Sequence, residues 1–303
     1  MLVNPGTARS HSIARAAFMR GNNQEKSSAL ASSARKPQDA GTARVLKQLI
    51  LTADDFGRSP EINAAIERAH RAGFLTQASL MVNEPAVDDA VWIAQRNPTL
   101  CVGLHLTVCA GRAAQASALT DPAGRFRWPP TPAGLRYFFL PSLTPILRDE
   151  IRAQFERFLA LGFSPSYWDG HKHFHLHPTI LRLSLPIATE QGFHWMRLLR
   201  EPGPAAFLPA IFQALSRSAL PRLQRQGIQF ADHVFGLRTT GRMETPTIER
   251  LLRELPEGTS ELYFHPGAEP GEMDLEKLVK VVRENEIVLT TSSDVRSVAK
   301  DPC

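Results

Sequence analysis

The sequence has no run of about 18 apolar residues, so no segment of it reads as a membrane-spanning helix. Cysteine is scarce: Cys101, Cys109 and Cys303, with no CxxC pair. An odd number without that spacing argues against a disulfide framework or a cysteine-held zinc, and it fits a reducing, cytoplasmic setting. The nucleotide signatures GxGxxG and GxxxxGK(S/T) are missing, as is the GxSxG turn of serine hydrolases. A basic footprint for nucleic acid is missing too. The formal charge is +5, but residues 1–44 alone hold seven Lys/Arg against two acids, which leaves the remaining chain near neutrality.

What is present is an ordinary balance of 43% hydrophobic and 21% charged residues over 303 positions, enough for a sizeable core. Residues 1–44 are rich in Ser, Ala and Arg, lack helical or strand periodicity, and are expected to form a disordered tail. Their composition is like that of a transit peptide, without the apolar core of a secretory signal, and a dispensable tail is the favoured reading. Residues 45–303 are expected to form one domain. Its last β/α unit, after about residue 270, fits the pattern poorly.

From Lys47 the chain alternates between strand-like and helix-like segments. "KQLILTADDFG" reads as a buried strand feeding a functional loop. "SPEINAAIERAHRAGF" reads as a helix with Ser59 as N-cap, Pro60 at its first position and Gly73 as its stop. Strands are expected at 76–82, 100–108, 165–175, 193–199, 227–231, 259–265 and 286–291. Helices are expected at 85–96 and 144–162 and between the later strands, with a short one near 132–139 inside a long Pro- and Gly-rich loop. Such repeats imply parallel strands with helices outside them, and the length favours a (β/α) barrel over an open sheet. In either case the site lies at the C-terminal ends of the strands.

The residues that carry chemistry cluster at those ends: Asp54-Asp55, His105, Asp169 with His171, His173 and His175, and His265. Two adjacent carboxylates repel, and a bound cation relieves them. One can bind a metal while the other faces a water. Alone, the pair could equally cap a helix, and a lone histidine such as His105 is more often a hydrogen-bonded core residue. The run at 171–175 is harder to dismiss, because in extended chain its three histidines share one face. One Asp and two His with open positions is an established setting for a catalytic metal. The adjacent Asp54 could then accept a proton from water, and His265 could donate one to a leaving group.

The blocks "TADDFGRSPEINAAIERAHRAG", "VGLHLTV", "DGHKHFHLHP" and "ELYFHPG" resemble the YdjC-like carbohydrate deacetylases over roughly residues 47–270. "SLMV", "LRYFFLP", "EIRAQFERF" and "HKHFHLHP" bring the chain closest to the hopanoid-biosynthesis branch, HpnK. The resemblance implies a deformed (β/α) barrel of the glycoside hydrolase/deacetylase type. It implies Asp55, His105 and His171 as ligands of one divalent metal ion: Zn or Mg, with Mn or Co as alternatives. It matches Asp54 to the general base, His265 to the acid and Arg197 to an arginine beside the base. Asp169, His173 and His175 would support the metal or touch substrate. The implied substrate is an N-acetylglucosaminyl hopanoid lipid. The rivals are a soluble chitooligosaccharide and a non-catalytic metal-binding role in a lipid-synthesis assembly. A homodimer and peripheral contact with the inner membrane stay open at this stage. Residues 207–220 and the "YFFLP" loop could touch a lipid, although an ordinary core helix is the favoured reading of the former.

Overall fold

The computed structural model describes residues 46–203, 207–267 and 273–295. The tail 1–44 and Cys303 lie outside these described residues. The described part of the domain contains eight parallel strands and eight α-helices. The strands are β1 (Lys47–Phe56), β2 (Gln77–Leu80), β3 (Cys101–Leu106), β4 (Tyr167–Gly170), β5 (Trp195–Met196), β6 (His233–Phe235), β7 (Gly258–Phe264) and β8 (Val288–Thr290). The helices are α1 (Pro60–Arg71), α2 (Val87–Arg96), α3 (Pro130–Phe139), α4 (Thr144–Ala160), α5 (Pro178–Glu190), α6 (Phe207–Arg225), α7 (Thr245–Arg253) and α8 (Leu275–Glu284).

The strands pair in the order β5-β4-β3-β2-β1-β7-β6. β7 runs along β1 from Lys47 to Ala53, so β2 and β8 must share the other edge. β8 takes Gln48–Ile50 and β2 takes Thr52–Phe56. The doubtful last unit therefore exists as α8 and β8, but its strand pairs low on β1, away from the end where the site lies. The free edge of β5 meets the segment leading into β6 through one parallel bridge, Trp195 to Gln229, in place of a ladder. This is a deformed (β/α) barrel with its helices outside, the architecture expected from the alternation.

The local reasons are visible. Leu49 to Phe56 are all buried, as a strand covered on both faces must be. The Ile62 amide donates to Ser59 Oγ at the start of α1, and Ile62, Ala65, Ile66 and Ala69 form its buried face. Gly73, at φ +77°, takes the left-handed turn that follows the helix.

Two expectations are corrected. The strand read at 227–231 sits instead at His233–Phe235. Gly227, at φ +69°, ends α6, and the Ile228 amide bonds back to Leu223 O, so this stretch is consumed by the helix exit. The histidine run is not extended: His171–Leu176 is a 3₁₀ turn in which Lys172 and His173 both have positive φ, 54° and 59°. Three histidines on one face is therefore not what the backbone builds. Gly170 permits the reversal, since a Cβ there would stand 2.9 Å from the His175 amide nitrogen.

Candidate metal centre and active site

The floor of the site begins with an irregularity. The β1–β2 register shifts between Ala53 and Phe56, and Asp54-Asp55 occupy the shift. Asp55 has φ +66°, a left-handed conformation uncommon outside glycine and best tolerated by Asn and Asp. Such strain persists where the surroundings fix it. Here Arg58 holds Asp55 Oδ2 at 2.6 Å, and the buried Asn63 accepts the Gly57 amide at 2.7 Å while donating to Ala86 O and Asp89. The shift turns the two aspartates apart, one toward histidines and the other toward an arginine.

Asp55 Oδ1 lies 2.9 Å from His171 Nδ1 and 3.5 Å from His105 Nε2. The other ring nitrogen of His105 donates to Asp169 Oδ1 at 2.6 Å, which orients the ring and points Nε2 at Asp55. A carboxylate behind a ligating imidazole in this way is the usual support of a metal-binding histidine. His105 Nε2 and His171 Nε2 are buried without hydrogen-bond partners.

The charges agree with a cation. Asp54, Asp55, Asp169 and Glu261 are all buried, and Arg197 is the one fully buried guanidinium that faces them among the described residues. Burial alone would raise the Asp55 carboxyl, but His105 and His171 beside it hold it far below the usual carboxylate range. Burial alone would lower the His105 imidazole, but Asp169 and Asp54 push it up to about 10. A field that negative favours a divalent ion. Asp55, His105 and His171 thus form a group able to hold one metal ion.

Arg197 ties the rest together. Its Nη1 and Nη2 each lie 2.9 Å from an Asp54 oxygen, a bidentate pair. Nη2 also lies 2.8 Å from Asp169 Oδ2, and Nε donates to Glu261 Oε1 at 2.8 Å. The guanidinium stacks over the Tyr263 ring at 4.4 Å. Ser79 Oγ donates to Asp169 Oδ2, and Thr52 Oγ1 to Glu261 Oε1. Of these partners the sequence reading named Asp54, Asp169 and Arg197. It passed over Glu261, Tyr263, Ser79, Thr52, Arg58 and Asn63.

His265 Nε2 lies 3.9 Å from Asp54 Oδ2. His173 Nε2 lies 3.1 Å from the Tyr263 hydroxyl. His175 Nε2 lies 3.0 Å from Arg197 O, and burial lowers this imidazole to about 4, so it is neutral at pH 7. The run therefore separates into one residue at the metal group, one against β7 and one behind Arg197. All nine residues singled out in the sequence converge on one end of the barrel. Above them opens a cavity of about 670 Å³. Asp54, His105, His171 and His265 lie at its floor, and Leu135, Phe138, Phe139, Leu208, Ile211 and Phe212 in its walls.

An α/β barrel with a buried Asp-His-His group at the C-terminal ends of its strands, and a second carboxylate clamped beside it, has the layout of a metallohydrolase site. The family model described as YdjC-like protein matches residues 48–301, and the chain belongs to that family. It is 32% identical to a mouse protein named carbohydrate deacetylase over 245 residues, 73% of this chain and 78% of the mouse protein. It is 40% identical over 145 residues to a protein of the same name from Brevibacillus brevis; that match covers 47% of this chain and spans only 56% of the bacterial protein. A crystal structure from Enterococcus faecalis, provisionally named a cellobiose-phosphate cleavage protein, shares the fold. It has a TM-score of 0.61 at 20% identity and covers 82% of this chain and 98% of its own.

Proposed function

We propose that the chain is a metal-dependent N-deacetylase that removes the acetyl group of an amino sugar carried on an apolar aglycone, an N-acetylglucosaminyl hopanoid in the reading of the HpnK branch. The carrying observation is the juxtaposition at the cavity floor: Asp55, His105 and His171 around one point, with Asp54 and His265 beside it. The name shared by the mouse and bacterial relatives supports the reaction class.

When bound, a divalent ion supplies a Lewis acid for the acetyl carbonyl and lowers the pKa of water. With two imidazoles and one carboxylate the donor set suits zinc, cobalt or manganese better than magnesium, which prefers oxygen. Asp54 is the proton acceptor for the attacking water. The Arg197 fork keeps it in one orientation. His265 donates the proton to the departing amine. His105 is held by Asp169 in the tautomer that directs Nε2 inward. The apolar walls exclude water from the reacting group and bury the aglycone.

The soluble rival, a chitooligosaccharide, offers only the C–H faces of its rings to Leu135, Phe138, Phe139, Leu208 and Ile211, far less apolar surface than a lipid aglycone, which is why the lipid-linked sugar is preferred. The test is acetate release from an N-acetylglucosaminyl lipid and from diacetylchitobiose, alongside metal analysis. The expected result is about one metal ion per chain, loss of acetate release on chelation, and preference for the lipid. Asp54→Asn should retain the metal and lose turnover. Retained turnover in that variant overturns the base assignment, and bound metal with no acetate from any sugar overturns the enzyme reading.

A further inference from the structure

The cavity wall does not stop at the cavity. On α3, Ala133 and Tyr137 face inward, and the rest of the apolar surface faces out. Leu135, Phe138, Phe139 and Leu140 are all exposed, Phe139 by 68%. On α6, burial is confined to Ser216, Ala219 and Leu223 in the second half of the helix. Its first turns present Phe207 at 83%, Leu208 at 58% and Ile211 at 41% exposure. The core-helix reading of 207–220 therefore holds for Phe212, Leu215 and Leu220, which pack against the core, and not for Phe207, Leu208 and Ile211. Leu135, Phe138, Phe139, Leu208 and Ile211 line the same cavity mouth, so the two helices form facing parts of one rim.

Scattered surface hydrophobics need no explanation, but a contiguous rim of large ones around a site entrance marks an interaction surface. Its charge indicates the partner. Neither α3 nor α6 contains an acid, and α6 carries Arg217, Arg222 and Arg225 on exposed positions. Among the described residues that line the cavity, the formally charged ones are Asp54 at the floor and Lys172. Exposed Phe and Leu backed by cations and free of acids match the interface of a bilayer bearing anionic headgroups.

We propose that this rim, Phe138-Phe139-Leu140 of one side and Phe207-Leu208-Ile211 of the other, docks the domain on an anionic phospholipid surface, with the cavity mouth opening into it. The inference deepens the lipid-linked reading of the substrate. It states how an amphiphile reaches the floor: its apolar part passes from acyl chains to the cavity walls without crossing water.

The test is sedimentation of the full chain with vesicles of phosphatidylcholine and phosphatidylglycerol, at about 0.5 M salt so that the cations of residues 1–44 are largely screened. Phe138→Ser with Phe139→Ser, and separately Phe207→Ser with Leu208→Ser, each lower the partition coefficient on the order of tenfold, from the apolar area withdrawn from lipid. Four exposed positions leave the fold intact, which an unchanged melting temperature checks. Hydrolysis of diacetylchitobiose is read separately, so failure of the catalytic reading and failure of the docking surface fall in different assays. Equal vesicle binding by parent and both variants overturns the proposal. So does a parent that is dimeric by light scattering and becomes monomeric in the variants, because the rim is then a self-association surface.

Discussion

Replacing Arg197 by methionine keeps an unbranched apolar stem and removes the buried cation shared by Asp54, Asp169 and Glu261. Taking one partner out of a buried ion pair costs about 3–5 kcal/mol, because the charge left behind is uncompensated. For a domain of this size about 1 kcal/mol moves the melting temperature by roughly 2–4 °C, so the fall is about 6–20 °C at pH 7. The pH dependence gives a sharper check. Burial by itself raises the Asp169 carboxyl, but Arg197 and His105 reverse this and hold it well below the usual carboxylate range. A carboxylate held below its unfolded value, about 3.9, contributes stability above that value and loses it as the pH falls through the folded value. In the parent that contribution is complete at neutral pH. Without Arg197 the folded value moves up toward the unfolded one, and the contribution shrinks. Relative to the parent, the variant therefore regains stability as the pH is lowered from about 8 toward about 5, and the gap between the two melting temperatures narrows. The assay is thermal unfolding followed by circular dichroism across that range in the presence of chelator. A variant melting within about 2 °C of the parent at pH 7 would refute the reasoning, since a buried uncompensated triad cannot be so cheap.

Asp169→Asn removes the charge that orients His105, and metal affinity should fall about 10- to 100-fold in a competition titration, the usual effect of losing such a support. An unchanged affinity would show that the 2.6 Å bond to His105 does not orient a ligand. Asn63→Ala leaves the buried Gly57 amide without an acceptor and should cost about 1–3 kcal/mol in urea unfolding. It should also weaken metal binding, because Asn63 steadies the turn that holds Asp55 at positive φ. A stability loss with unchanged metal affinity would separate those two roles.

The legible parts of this molecule were those with a local cause. The N-cap at Ser59, the stop at Gly73 and the alternation of β and α are written in adjacent residues. Asp54, Asp55, His105 and His171 were legible as a set rather than singly, because acids and imidazoles recur at the ends of successive apolar runs. The left-handed pair Lys172-His173 was not legible. Lysine does not favour that conformation, and histidine, though among the residues that tolerate it, gives no sign in sequence of when it does. Glu261, Ser79 and Thr52 escaped for a different reason: each is an ordinary polar residue in a strand until its partner, from another strand, is known. A faint signal did exist. Thr52 and Asp54, Gln77 and Ser79, Tyr167 and Asp169, and Glu261 and Tyr263 are each two apart in their strands, and all are buried. Polar residues at every second position of otherwise apolar strands mark a barrel whose lumen, at this end, is polar. The short β5 was overestimated because "HWMRLLR" has strand-like composition, whereas only Trp195 and Met196 pair with β4.

The single bridge between Trp195 and Gln229 carries a mechanical meaning. A ring joined by full ladders is a hoop, and one joined by a lone bridge is a clip that can spring open at the join. Arg197 stands two residues past Trp195 on one side of that join, and its partner Glu261 belongs to β7 on the other. The charge cluster is therefore also a latch. The ion pairs that orient Asp54 cross the gap where main-chain hydrogen bonds are few. Amides flanking the seam should exchange faster than those of β1 and β7, and faster still once the latch is cut. Loosening Asp54 and loosening the barrel are, in this fold, one event.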